Sequence, residues 1–315
     1  STRVRHDDDP LLPTFITGTA GERQTSAELN TDNGGCWLFF RTDIIPEVLH
    51  HKGFSFKWST AYTGVIQSPS RCQIHFGINA CDFINVFSHD IAQLPAWEQH
   101  LWAGFNIVPD GKLCDELYQA QVAVRPADTE AIEITLFKLM YVFDRLFIKH
   151  TGVNIYTREV SDEDYERINR FHCRDQASLL RLAKDLVRVF LERLNQPLLR
   201  ELAHIPKSEK LGSIKLVERL LACYISSEGA HFRTSIFAGV YEMRNCDAHS
   251  AESKIEDALR LARIDTSLSY LKQGTQLLAN FANALRTIGL ILQNTWIPKT
   301  PTTETSTPQS PPTNS

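Results

Sequence analysis

Arg244 and His249 stand five positions apart in the segment YEMRNCDAHS, residues 241–250, with the amide Asn245 directly after the arginine. Together they are the minimum kit for cutting RNA without a metal. A guanidinium stays charged and grips a phosphate through a planar fork of donors. An imidazole gives and takes a proton near neutral pH. The spacing by itself carries little, because the chain offers it three times, at Arg145/His150, Arg167/His172 and Arg244/His249. Context separates the third pair. Leu146 and Ile168 follow the other two arginines, whereas a polar amide follows Arg244 and a small-residue exit, DAHSAES, follows the motif.

The elements that must position these groups are helices. From Pro126 onward apolar residues recur at helical spacing, as in Leu136, Leu139, Met140, Phe143 and Phe147. The pattern predicts helices over Thr129–His150, Asp175 to about Leu194, Ser208–Ile225, Phe232 to about Ala248, Lys254–Ile264 and Thr266–Gln293. In SDEDYERI, Ser161 reads as a helix cap with Asp164 at the third helical position. On an ideal helix running through His249, Arg244 and His249 would project about 140° apart. The pair therefore requires the helix to end near His249, the arginine to reach round, or a second subunit to complete the site.

Residues 36–125 read differently. Short runs such as CWLFF, FSFKWSTAY, RCQIHFGI and DFINVF predict strands, and DELYQAQV a short helix. Residues 1–35 read as a loose polar lead-in, and the Pro/Thr/Ser-rich tail 298–315 cannot bury enough apolar surface to fold. The expected fold class is α+β: a short-stranded α/β region over 36–125, then an all-α bundle over 126–297.

The net charge of -4 and pI near 6.3 argue against a protein coated for non-specific nucleic-acid binding. The charge is unevenly divided, with 12 Lys/Arg and 18 Asp/Glu in residues 1–150 against 21 and 18 in 151–300. A polyanionic partner would prefer the half that carries Arg244. Seven cysteines without framework spacing predict free thiols in a reducing cytoplasm. No signal peptide is expected before HDDDP, and no apolar run reaches the roughly 20 residues that span a bilayer. Ser1 opens the chain without Met, which fits removal of Met before a small residue or a piece of something longer.

YEMRNCDAHS resembles the signature of HEPN domains, which is Arg, then Asn, Asp or His, a few residues, then His. Many members read Arg-Asn-x-x-Ala-His before a small residue. Arg244, Asn245, Ala248 and His249 fall on that pattern, and Ser250 stands where Gly is frequent. The resemblance covers the helical region, about 127–297. It implies a bundle that dimerises about the motif helices, and a metal-independent endoribonuclease of a bacterial anti-phage, abortive-infection or toxin system. It also implies roles. Arg244 would bind the scissile phosphate and stabilise charge building on it. His249 would act as base on the ribose 2′-hydroxyl or as acid toward the leaving oxygen, and Asn245 would orient the histidine or bond the phosphate. Asp247 could position His249 or simply end the helix. No cofactor is implied; the partners are RNA and a second copy of the chain.

Other members of that family are inactive scaffolds or RNA binders, so a binding or dimerisation module is the alternative. The plain reading of Arg244 and His249 is a surface ion pair and a helix C-terminal histidine. A further rival is a structural dimerisation domain whose activity lies in a missing N-terminal part. In the sheet region, Cys72, His75 and Cys81 would need Cys36 or His89 to complete a metal site; buried thiols and a satisfied histidine are the expectation. Trp97, His100 and Trp102 could line a pocket, with core aromatics the commoner outcome. Glu98 and His100 could form an acid/base pair, although nothing in the sequence orients them. Residues 36–122 look like a region that precedes a helical domain in uncharacterised bacterial defence proteins. That likeness suggests a sensor for a phage-derived trigger.

Overall fold

Six strands rich in aromatic and β-branched residues build an antiparallel sheet, and they fix where the N-terminal core lies. The computed structural model describes residues 12–30, 36–125, 127–246 and 251–296. The strands are β3 (Trp37–Arg41), β4 (Ser55–Trp58), β5 (Thr63–Gln67), β6 (Gln73–Ile78), β7 (Phe83–Phe87) and β8 (Asn106–Ile107), in the order β4-β5-β6-β7-β3-β8. Pairing Leu38 with Val86 and Phe76 with Val86 puts one apolar row on one face. That face buries Leu38, Phe40, Phe76, Ile84 and Val86 under α1 (Ile44–His50) and α3 (Ala96–Ala103). Trp102 of α3 meets Phe40 edge-on at 5.0 Å. On the opposite face α4 (Asp115–Gln121) lies so close to the sheet that a Cβ at Gly77 would sit 2.6 Å from the Cys114 Cβ.

The expected loose lead-in is corrected over residues 12–30. Strands β1 (Thr14–Ile16) and β2 (Arg23–Thr25) form a hairpin, followed by a 3-10 turn over Glu28–Asn30. Two buried apolar residues anchor it: Phe15 packs edge-on against Phe40, and Leu29 is buried. The Asn106 side chain ties the hairpin to the sheet by accepting from Ile16 N at 2.5 Å and donating to Phe39 O at 3.0 Å. Residues 1–11 and 31–35 of the lead-in, Pro126 at the expected boundary, and the tail 298–315 lie outside the described residues.

After α2 (Ser88–Ala92) and the elements above, the chain is helical, and the fold class is α+β as expected. The helices are α5 (Ile132–Thr151), α6 (Asp162–Arg167), α7 (Gln176–Leu186), α8 (Gln196–Leu202), α9 (Ser213–Ala222), α10 (Ser227–Asn245), α11 (Glu252–Leu261) and α12 (Tyr270–Trp296). Their ends follow local chemistry. The Asp164 carboxylate accepts from Ser161 N at 2.9 Å, and Asp175 accepts from Ser178 N at 2.8 Å. Several expected helix bounds change: α5, α9 and α12 begin at Ile132, Ser213 and Tyr270 rather than at Thr129, Ser208 and Thr266, and α10 begins at Ser227 rather than Phe232. The run from Asp175 leaves α geometry after Leu186 and widens into a π turn over Val187–Leu191. Pro197 stands in the first turn of α8, where a missing N–H costs nothing, rather than only closing the run before it. Helix α10 ends at Asn245, short of the expected Ala248.

Helix α10 runs through the middle of the bundle, with α7, α9, α11 and α12 packed around it. At Gly239 the end of α11 comes so close that a Cβ would lie 2.4 Å from Ala262 N. The sheet region does not keep a core to itself. Phe171, from the turn between α6 and α7, lies flat on Trp58 of β4 at 5.1 Å with the planes 9° apart. Beside it the Arg170 guanidinium bonds Glu133 of α5 at 2.9 and 2.6 Å and stacks 4.4 Å from the Trp58 ring centroid. At the far end Asp82 takes Ser269 Oγ at 2.6 Å and Lys272 Nζ at 3.3 Å. No helix among the described residues is long and apolar enough to cross a membrane.

Candidate functional site

The last turn of α10 presents Arg244 and Asn245 on two sides of one helix end. Cys246 N donates to Glu242 O and Met243 O, and Cys246 itself is extended, at φ -78° and ψ 141°. The chain thus leaves the helix one residue after Asn245. The ideal-helix separation of Arg244 and His249 does not apply, because α10 stops before the histidine. His249, with Asp247, Ala248 and Ser250, lies outside the described residues, in the sequence between α10 and α11.

Arg244 is held from two directions. Its guanidinium carbon lies 5.3 Å from the Tyr241 ring centroid, one turn earlier on the same helix. Its Nη2 lies 2.6 Å from Glu192 Oε1, with the two side chains 30% and 44% exposed. Glu192 directly follows the π turn, and its N–H donates to Val187 O at 2.9 Å. The extra residue in that turn shifts the register of the helix, and such bulges recur at functional sites. Glu192 is the residue that sequence reasoning missed. Nothing in VRVFLERLN distinguishes it from an ordinary surface charge, since the π turn that places it has no local signature.

Asn245 turns away from Arg244 and lines a cleft of about 390 Å³ with Cys246, Lys254 and Asp257. The structure therefore puts one cation on each side of the helix end, Arg244 against Glu192 and Lys254 in a cleft that Glu242 and Asp257 also line. Since helix C-termini are electronegative, an anion at this end depends on those cations. In the other two pairs His150 and His172 have packing roles and Arg167 makes a surface ion pair. His150 stacks on Trp296 at 4.1 Å with the planes 3° apart. Arg167 pairs with Glu163 at 3.0 Å. His172 is held below the usual imidazole range by burial.

In the sheet region His75 is satisfied, with Nδ1 3.1 Å from Asp90 Oδ2, and that bond holds its pKa above the ordinary value. Cys72 Sγ donates to Gln93 O at 3.5 Å, and Cys81 is exposed rather than buried. Among the described residues no three His, Cys, Asp or Glu side chains gather as metal ligands. Trp102 is core, and Trp97 packs edge-on against Phe54. Glu98 is buried beside Ser70, and burial pushes its carboxyl above the ordinary range. No protein-family model matches the chain, and neither a curated protein nor a solved structure matches it.

Proposed function

We propose that this chain is a metal-independent endoribonuclease of the HEPN type, acting as a homodimer in the bacterial cytoplasm as part of an anti-phage, abortive-infection system. The observation that carries the reading is the end of α10. It stops at Asn245 with Arg244 reaching solvent, so the motif spans a helix exit rather than a helix face. A guanidinium has five N–H donors in a fixed fork. Glu192 takes one side of it and leaves the others for a phosphate.

In this reading the ribose 2′-oxygen attacks the adjacent phosphorus and the 5′-oxygen leaves. His249 takes the 2′-hydroxyl proton or supplies the proton to the leaving oxygen, with a second copy of the motif available in a dimer for the other task. Arg244 neutralises the charge that builds on the phosphoryl oxygens, and Asn245 orients the imidazole or bonds the phosphate. The sheet region is the sensor for an infection trigger. The ion pair with Glu192 favours one alternative, a non-catalytic RNA- or protein-binding module, because it already gives Arg244 a structural partner.

The mechanism is tested on the product ends. Purified protein is incubated with a defined RNA in EDTA, and the new 3′ ends are identified by mass spectrometry. Cyclic phosphate ends are expected. Cleavage that stops in EDTA, or leaves a free 3′-hydroxyl, overturns the mechanism; RNA binding without cleavage supports the module.

A further inference from the structure

A groove of about 1010 Å³ runs between β4 and the helices α5 and α6, away from the Arg244 site. All four β4 residues, Ser55, Phe56, Lys57 and Trp58, border it. Side chains alternate across a strand, so a strand facing a space with one face contributes every second residue. Four in a row means that the edge of the strand borders the groove. Strand β4 is the outer strand of its sheet, and no further strand among the described residues pairs with that edge. Across the groove stand Tyr141, Val142 and Tyr165, which are 67%, 60% and 53% exposed. The Phe137 and Tyr165 rings, 4.2 Å apart, form part of its wall.

An open sheet edge carries a row of main-chain donors and acceptors spaced for one kind of ligand, another extended backbone. The opposing apolar wall suits the side chains that such a strand would send into the groove. Charge adds to this. Lys57, Lys138 and Arg167 border the groove with Glu133 and Glu166. Glu133 is bonded by Arg170, Lys138 pairs with Glu130 and Arg167 with Glu163, so Lys57, on the strand edge itself, is the cation that a ligand would meet. We propose that the groove is a docking site for an extended polypeptide segment of a partner. The segment pairs with β4, sets apolar residues at alternate positions against Phe137, Tyr141 and Val142, and carries an acidic residue toward Lys57. RNA fits less well, since bases could stack on the tyrosines but nothing in a nucleic acid uses a strand edge.

The inference is independent of the ribonuclease reading and is tested by binding alone. Phage-displayed random dodecapeptides are panned against the full chain, and the enriched peptides are synthesised. Enrichment of alternating apolar sequences that carry an acidic residue is expected. N-methylation of alternate amides, which removes the strand hydrogen bonds and keeps the side chains, should weaken binding about tenfold. Changing the exposed Tyr141→Glu and Val142→Glu together should weaken it about tenfold or more, with the thermal midpoint unchanged. The proposal is overturned by no enrichment, by peptides that tolerate both changes, or by a double variant that loses affinity for single-stranded RNA in place of peptide.

Discussion

Glu192 Oε1 lies 2.6 Å from Arg244 Nη2, joining the exit of a π turn to the exit of α10. The pair is partly solvated, so it is worth at most about 1 kcal/mol to the fold. In the proposed mechanism it aims the guanidinium. Glu192→Ala should leave the urea midpoint nearly unchanged and slow RNA cleavage about tenfold, the cost of a looser arginine. It should also tighten RNA binding a few-fold, because a carboxylate beside the phosphate is gone. Cleavage at the parent rate would show that Glu192 is only a surface partner.

Gly239 sets how closely α11 lies against α10, the two helices that flank the motif. Replacing a helical glycine by alanine ordinarily stabilises by roughly 0.5–1 kcal/mol. Here the new Cβ would meet Ala262 N at 2.4 Å and Leu261 C at 2.6 Å, both backbone atoms. Gly239→Ala should therefore destabilise, by about 1–3 kcal/mol, measured by urea unfolding. A gain in stability would mean that the helices are not in contact there.

Arg170 and Glu133 are 4% and 6% exposed, and they join α5 to the turn that packs on the sheet. Removing one partner leaves the other charged and buried. Glu133→Ala should cost about 3–5 kcal/mol, seen as a lower urea midpoint. A loss below about 1 kcal/mol would show that water reaches the pair.

The bond from Asp90 raises the His75 pKa above its ordinary 6.5. A folded-state value above the unfolded one contributes stability that is complete below the unfolded pKa and is lost as pH rises through the folded value. Unfolding free energy should therefore fall across the window that opens above 6.5. Asp90→Asn should flatten that part of the profile. The effect is small, since the His75 side chain is 42% exposed. A profile identical in the variant would assign the slope to other groups.

The helical half was the legible part of the fold. The period of Leu136, Met140, Phe143 and Phe147 marks the buried face of α5, and Ser161 with Asp164 announces a cap that forms. Strand-forming runs such as CWLFF also stood out by composition. What stayed hidden depends on distant partners. The lead-in hairpin hangs on Phe15 and Leu29, two apolar residues too sparse to make a pattern. Phe171 belongs to the core under the sheet only because Trp58 lies beneath it. At the candidate site Arg244 and Asn245 were readable by type and spacing. Glu192 was not, because a π turn places it, and neither was the early end of α10. No rule of periodicity announces either one.

The central claim is that Arg244 and His249 act together on RNA. The most direct measurement is the single-turnover cleavage rate of one defined RNA, in EDTA, for the parent, Arg244→Ala and His249→Ala, with folding checked by circular dichroism. The account predicts cleavage by the parent and a loss of about 10²-fold or more in each variant, the scale of a missing general acid or base or of a missing charge stabiliser. Cleavage by both variants at the parent rate would contradict it.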